Sequence, residues 1–143
     1  MKKILAFITA VIIVLILLAI KYYNYKDEYS KIKEFNSKYE SYYQKELYGS
    51  DVATIVNRAV NDNELNRIEK DKNGNYIENE TNSIKVEIKI TDNDTLYSME
   101  TLYNGGMTTF VQYYSNIKFE CTKIEYHSNS KQIKYMLFEQ KSI

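Results

Sequence analysis

The sequence contains no proline and no tryptophan, and it has one cysteine, Cys121, and one histidine, His127. A lone cysteine cannot close an internal disulfide, which excludes the class of small secreted domains that are stapled by disulfides. One histidine and one cysteine are too few for the ligand sets of structural zinc sites. We therefore predict no metal site and no cofactor-binding residues.

The chain also lacks an excess of charge of either sign, because 19 basic residues balance 19 acidic ones. Nucleic-acid-binding domains usually carry a basic patch, which this balance does not provide. Arginine, the residue best suited to bidentate phosphate contacts, occurs only as Arg58 and Arg67. We predict that nucleic acid is not a partner.

Catalytic sequence motifs are missing as well. There is no glycine-rich phosphate or dinucleotide loop, and Gly105-Gly106 alone indicates a turn. A cysteine nucleophile needs an oriented base, but the one histidine, His127, lies six residues from Cys121 at a predicted strand end, and the sequence shows no oriented triad. We predict that Cys121 is a small core residue, that His127 is an ordinary turn residue, and that the chain has no catalytic residues and is not an enzyme.

A long apolar run is the most informative feature that is present. From Ile4 to Ile20 the one polar residue is Thr9, and a helix of this run covers about 25 Å, close to the ~30 Å hydrocarbon core of a bilayer. Two lysines precede the run and several tyrosines follow it, as is typical at membrane interfaces. We predict a single-pass transmembrane anchor over residues 1–21, with the N-terminus cytoplasmic and the remainder extracellular. The alternatives are a cleaved signal peptide, for which the end of the run lacks suitable small residues, and a buried soluble helix.

Residues 22–48 contain aromatic and apolar side chains at spacings of three and four, without proline and with no glycine. This pattern predicts an amphipathic stalk helix that continues the anchor. Its stripe either packs on the sheet or a neighbouring helix, or forms a coiled-coil seam with a partner. The stripe consists of Tyr25, Tyr29, Ile32, Phe35, Tyr39, Tyr42, Tyr43 and Leu47.

Residues 49–143 are predicted to form an α+β head domain. Gly49 fits a helix stop, and Ser50 or Asp51 fits the N-cap of a second short helix, which together predict a helical hairpin. The apolar face of that helix ends near Asn61-Asp62-Asn63. Asn73-Gly74 predicts a hairpin turn.

Three segments of the head alternate apolar and polar side chains, as is typical of β-strands. They are residues 84–90, 117–126 and 133–138. The phase slips near Thr122-Lys123, which predicts a β-bulge. We predict a small antiparallel sheet of three to four strands. Residues 96–103 fit a short helix or irregular structure, and 107–114 fit a further short helix or a surface segment.

Two acidic turns resemble calcium-binding loops in part. Asp71 to Asn75 places oxygen ligands at alternate positions, but Tyr76 stands where the loop needs glycine and Asn82 where it needs a bidentate glutamate. The turn Asp92-Asn93-Asp94 carries less of the pattern still. We predict solvated turns at both places.

The predicted plan, a membrane helix running into an amphipathic helix and then a small antiparallel sheet, resembles that of type IV pilins and pseudopilins. The segment Gly49 to Val60 is similar to one found in small single-pass membrane-anchored proteins of anaerobic Gram-positive bacteria, some of them pilin-like. No glycine precedes Phe7 and no acidic residue lies between Ile4 and Ile20, so the pilin processing motif is not part of the resemblance.

These features together predict a membrane-anchored, non-enzymatic structural or interaction protein of pilin-like plan, a candidate component of an envelope or secretion system. Its expected partners are the membrane and either another protein or further copies of itself. The alternative hypothesis is an accessory extracellular subunit that binds a ligand or regulates a neighbouring protein, which a deep apolar pocket lined by tyrosines would favour.

Overall fold

The computed structural model describes residues 1–92 and 94–141. The chain divides into two compact units, Met1–Glu34 and Phe35–Ile143. Helix α1 (Lys2–Glu40) runs through the first unit and ends in the second. Its apolar part is long enough to cross a membrane and none of it is buried, which makes it a candidate membrane span that also fits a signal sequence.

The second unit has an α+β fold, as predicted. Among the described residues, five strands form one sheet in the order β1-β4-β5-β2-β3. The strands are β1 (Glu46–Tyr48), β2 (Lys85–Ile90), β3 (Thr95–Ser98), β4 (Lys118–Tyr126) and β5 (Ile133–Gln140). The pairing of β2 with β5 is parallel and the other pairings are antiparallel. The predicted sheet of three to four antiparallel strands is therefore corrected to a mixed sheet of five.

The helix predicted to extend to residue 48 ends earlier, at Glu40. A turn follows in which Gln44 adopts a positive φ of 55° and donates its N–H to Cys121 O at 3.1 Å. This turn aligns Glu46–Tyr48 with β4, so a strand separates the two helices. The predicted helical hairpin is wrong because these backbone groups pair with a strand far along the chain.

Helix α2 (Gly49–Leu65) begins at the residue that was predicted to stop a helix. Tyr48 occupies the N-cap position, and the Asp51 carboxylate accepts its backbone N–H at 3.1 Å. The predicted caps, Ser50 and Asp51, thus lie inside the first turn. The apolar face behaves as predicted, with Val52, Ile55, Val56, Ala59 and Val60 all buried.

The segment between β3 and β4 is helical. It comprises the short turn α3 (Met99–Thr101), a π-helical turn (Leu102–Gly106) and α4 (Met107–Tyr114). Gly105 has a φ of 142°, which kinks the helix where the sequence predicted a break. Residues 95–98 form a strand, so the prediction of helix or irregular structure from residue 96 is wrong there, while the helix over 107–114 is confirmed.

The core lies between one face of the sheet and the helices. Strand β2 directs Val86, Ile88 and Ile90 into it, because alternate side chains point to the same face. The predicted bulge is confirmed by a register shift between Cys121 and Lys123. The other face is polar, and its ion pairs include Lys85–Glu87, Lys118–Glu46 and Lys123–Glu125, each at 2.6 Å.

Candidate functional site

Strands β2 and β5 run parallel, so their amino-terminal ends meet at the same end of the sheet. The loop over residues 78–83 leads into β2, and the turn over 127–131 leads into β5. This end of the sheet combines a buried histidine, two buried amides and a cleft. It is the candidate site.

Two asparagines on different helices hold the chain at this end. Asn63 of α2 donates Nδ2 to Ile84 O at 2.8 Å and accepts Ile84 N–H at Oδ1 at 2.9 Å. Asn36 of α1 makes the same pair of bonds, donating to Lys131 O at 2.9 Å and accepting Ile133 N–H at 2.9 Å. Each amide therefore takes the place of a neighbouring strand for backbone that would otherwise be buried without partners.

His127 is buried, with 3% of its surface exposed, and its Nε2 lies 2.7 Å from Ser83 O. A carbonyl oxygen can only accept, so Nε2 carries the proton in this bond. The backbone N–H of His127 donates to Gln132 O at 2.8 Å. His127 begins the turn over 127–131, in line with the prediction of a turn residue, but it is buried and its ring is fixed by a carbonyl from a loop 44 positions earlier.

A cleft of about 340 Å³ opens beside this histidine. Its two walls are joined by Asn129 Nδ2, which donates to Glu80 Oε2 at 3.1 Å, and by Ser130 Oγ, which donates to Thr81 O. The volume lies within the range of small-molecule sites. The lining residues are Glu78, Asn79, Glu80, His127, Ser128, Asn129 and Lys134.

The wall that precedes β2 is organised by the side chain of Asn79. Its Oδ1 accepts the backbone N–H groups of Thr81, Asn82 and Ser83 at 2.9–3.0 Å. One side-chain oxygen thus folds the loop into a compact turn. In the sequence, Asn79 is followed by Glu, Thr, Asn and Ser, a composition that is typical of a polar loop but does not identify the atom that orders it.

The charges around the cleft are of both signs. Lys134 Nζ lies 3.6 Å from Glu78 Oε1 and 3.5 Å from Glu125 Oε2. A hydrogen bond from Lys123, together with Lys134, holds the pKa of Glu125 below its usual value. The cleft can therefore offer hydrogen bonds and charge to a polar ligand. It is not the apolar, tyrosine-lined pocket that would most favour an accessory binding subunit.

Cys121 lies away from this chemistry. The residue is fully buried, burial raises the pKa of its thiol to about 12, and its Sγ donates to Lys123 O at 3.6 Å. A thiol with this pKa is almost entirely protonated at neutral pH and is a poor nucleophile. The prediction that Cys121 is a small core residue is confirmed.

The two acidic turns have their oxygens engaged within the protein. The Asp71 carboxylate accepts N–H groups of Asn73 and Asn75 at 2.8–3.1 Å, and the bonds from Asn75 hold the pKa of Asp71 below its usual value. Asp92 accepts Gln140 Nε2 at 2.7 Å, while Asn93 of that turn lies outside the described residues. Across residues 1–92 and 94–141, no group of three His, Cys, Asp or Glu side chains is placed to hold a metal ion.

Comparison with known proteins returned no matching family model, no matching curated protein and no matching solved structure.

Proposed function

We propose that this chain is a membrane-anchored, non-enzymatic structural or interaction protein, with a plan like that of type IV pilins. The first unit anchors it to the cell membrane with the N-terminus cytoplasmic, and the second unit is the extracellular head. The observation that carries this proposal is the apolar part of α1, which is entirely exposed. Such a surface is stable in hydrocarbon and unfavourable in water.

The side chains that follow the apolar run support the same proposal. Tyr22 and Tyr23 are 63% and 68% exposed, and their amphipathic rings suit the membrane interface. Lys21 is also exposed and can extend its ammonium toward the headgroups. An apolar run, a basic residue and tyrosines in this order are typical of a helix that leaves a bilayer.

The proposal is tested by measuring the intact mass of the protein in its native membrane and by digesting the outer surface with protease. We expect a full-length mass, and loss of the head from intact cells. A mass that lacks the whole apolar run would contradict the proposal, because the protein would then be a secreted domain. A mass that lacks only the first few residues would instead support a processed pilin subunit.

The cleft beside His127 favours a second candidate, an accessory extracellular subunit that captures a small polar ligand. The ring of His127 is the natural probe, because it is the one histidine in the sequence. We expect a saturable shift of its NMR signals on titration with glycine, a charged probe, or glucose, a neutral one. Shifts that are unchanged when Asn129→Ala removes one contact across the cleft would argue against binding there.

A further inference from the structure

One stripe of side chains on α1 continues from the apolar run into the polar part of the helix. Alternating steps of three and four residues connect positions on this helix from the apolar run to the polar part. This 3.5-residue repeat is the pattern by which two helices pack along a shared seam. We call it the heptad stripe, and its members are Ile4, Ile8, Val11, Leu15, Leu18, Tyr22, Tyr25, Tyr29 and Ile32.

Most of the apolar and aromatic content of residues 21–34 lies on this stripe. The segment contains five such side chains, and Tyr23 is the one that lies elsewhere. Tyr25 and Tyr29 are 68% and 58% exposed. Charged residues occupy the opposite side, where Asp27 pairs with Lys31 at 2.6 Å.

The membrane alone does not cover the whole stripe. Tyr29 and Ile32 lie about 13 Å and 18 Å beyond Ile20 along the helix, at roughly 1.5 Å per residue. The headgroup layer on each side of the hydrocarbon core is only about 5–8 Å thick. Tyr22 can reach that layer, but Tyr29 stands in water unless another surface covers it, and Ile32 is half-buried.

We propose that the heptad stripe is the contact between two copies of this chain lying parallel in one membrane. This inference rests on the proposed anchoring, which fixes the same orientation for every copy and raises their local concentration. Within the apolar run, packing against lipid is nearly as favourable as packing against a second helix. The decisive part of the contact is therefore the aqueous one, from Tyr22 to Ile32, where burial removes aromatic and aliphatic surface from water.

The flanking charges fit a parallel pair in the outer part of the stripe. In heptad positions, Glu28 of one copy faces Lys33 of the other, and the symmetric pair forms on the opposite side. Lys21 faces Lys26 nearer the membrane, where anionic headgroups and water screen the two ammonium groups. The favourable charge pair thus lies next to Tyr29, the exposed aromatic residue that the headgroup layer does not reach.

Cysteine cross-linking of the full-length chain in lipid vesicles tests this contact. Tyr25→Cys and Tyr29→Cys place a thiol on the stripe, and Tyr23→Cys is the matched control that removes a tyrosine from another face. Asp27→Cys samples the opposite side. The wild-type chain gives the baseline, since Cys121 is buried. All four positions lie outside the compact head unit.

We expect Tyr25→Cys and Tyr29→Cys to form disulfide-linked dimers at least about fivefold faster than the two controls, because only a and d positions meet across a seam. Tenfold dilution with lipid should preserve this ratio. Equal rates at all four positions, faster reaction at Tyr23→Cys, or no dimer would overturn the proposal. Flotation of the same vesicles separates the two failures: chains that float without stripe-specific dimers contradict pairing alone, and chains that do not float contradict anchoring as well.

Discussion

At Gly49 two backbone segments of the head lie in close contact. A Cβ at this position would lie 2.0 Å from the carbonyl oxygen of Tyr114 and 2.7 Å from its carbon. The Gly49 N–H also donates to Ile117 O at 2.9 Å. Backbone atoms cannot move aside as a flexible side chain can, so the start of α2 can lie against the end of α4 only with glycine here.

We expect Gly49→Ala to lower the free energy of unfolding of the head by roughly 1–3 kcal/mol or more, as overpacking does. Gly74→Asn is the matched control. Its φ of 84° is one that asparagine tolerates, and the nearest atom to a Cβ is Asn104 Nδ2 at 3.9 Å. Chemical denaturation of both variants measures the difference, and equal stabilities would show that the contact at Gly49 is unimportant.

Asn63 is fully buried and satisfies two backbone groups of one residue, Ile84. Its replacement by alanine leaves an N–H and a carbonyl buried without partners. We expect Asn63→Ala to cost roughly 2–6 kcal/mol of unfolding free energy, at about 1–3 kcal/mol for each group. Asn57→Ala, at an exposed position of the same helix, should change little. Similar losses in the two variants would contradict this role.

At the scale of elements, the last turns of α1 are fixed to α2 by a buried polar pair. Tyr39 is fully buried and its hydroxyl donates to Asp62 Oδ2 at 2.6 Å. Phe35 packs beside it, with ring centroids 5.3 Å apart. The pair combines apolar burial with a charge-assisted hydrogen bond, which is stronger than a neutral one.

Removing this hydroxyl is predicted to destabilise the head. Tyr39→Phe leaves the Asp62 carboxylate, 9% exposed, without its donor, and we expect a loss of roughly 1–3 kcal/mol in the free energy of unfolding. Tyr42→Phe is the matched control, because its hydroxyl meets Arg58 Nη1 at 3.1 Å in a half-buried position. Thermal unfolding compares the two, and a larger effect at Tyr42 would refute the assignment.

The elements that the sequence predicted are those whose burial is periodic over several turns or residue pairs. The apolar face of α2, strand β2 and the bulged hairpin of β4 and β5 all show such a period. Strands β1 and β3 contain three and four residues, too few for a period to appear. Beyond Glu40, the aromatic and apolar residues of the predicted stalk helix keep helical spacing as far as Leu47. No local sequence signal therefore marked the end of α1.

The candidate site was harder to predict than the fold. Composition showed that the chain has one histidine, His127, and one cysteine, Cys121. The prediction that the thiol lies in the core was correct. The cleft, however, depends on contacts such as Asn129 with Glu80 and His127 with Ser83, which join positions 49 and 44 residues apart. Local patterns carry no information on such pairs, because each side of the cleft alone resembles a solvated turn.

At the scale of the whole molecule, tyrosine hydroxyls and the Cys121 thiol with raised pKa values make the free energy of unfolding depend on pH in the alkaline range. Burial and the bond to Asp62 raise the pKa of Tyr39 well above its usual value, and burial together with the Glu64 bond raises that of Tyr76 to about 12. Burial raises the pKa of Cys121 to about 12. The folded state thus holds these protons more tightly than the unfolded chain, in which the groups titrate near about 8.5–10.

These groups are therefore expected to contribute their full stabilisation below about pH 8.5. The free energy of unfolding should fall as the pH rises through the range in which the unfolded groups ionise, and it should continue to fall toward the pKa values of the folded state. Denaturant unfolding of the full chain between about pH 8 and about pH 11 measures the slope. Tyr39→Phe should flatten it, because one of the shifted groups is gone. A free energy of unfolding that rises with pH would contradict this assignment.

The position of β5 bears on when the protein can fold during its synthesis. Strand β5 (Ile133–Gln140) is the last of the described strands along the chain, yet it lies in the middle of the sheet. Strands β1 and β4 are joined to β2 and β3 only through it. The ribosome must therefore make residues up to Gln140 before the sheet can close, long after α1 has emerged. Until then the nascent head exposes its strands, and contacts so distant in sequence form slowly.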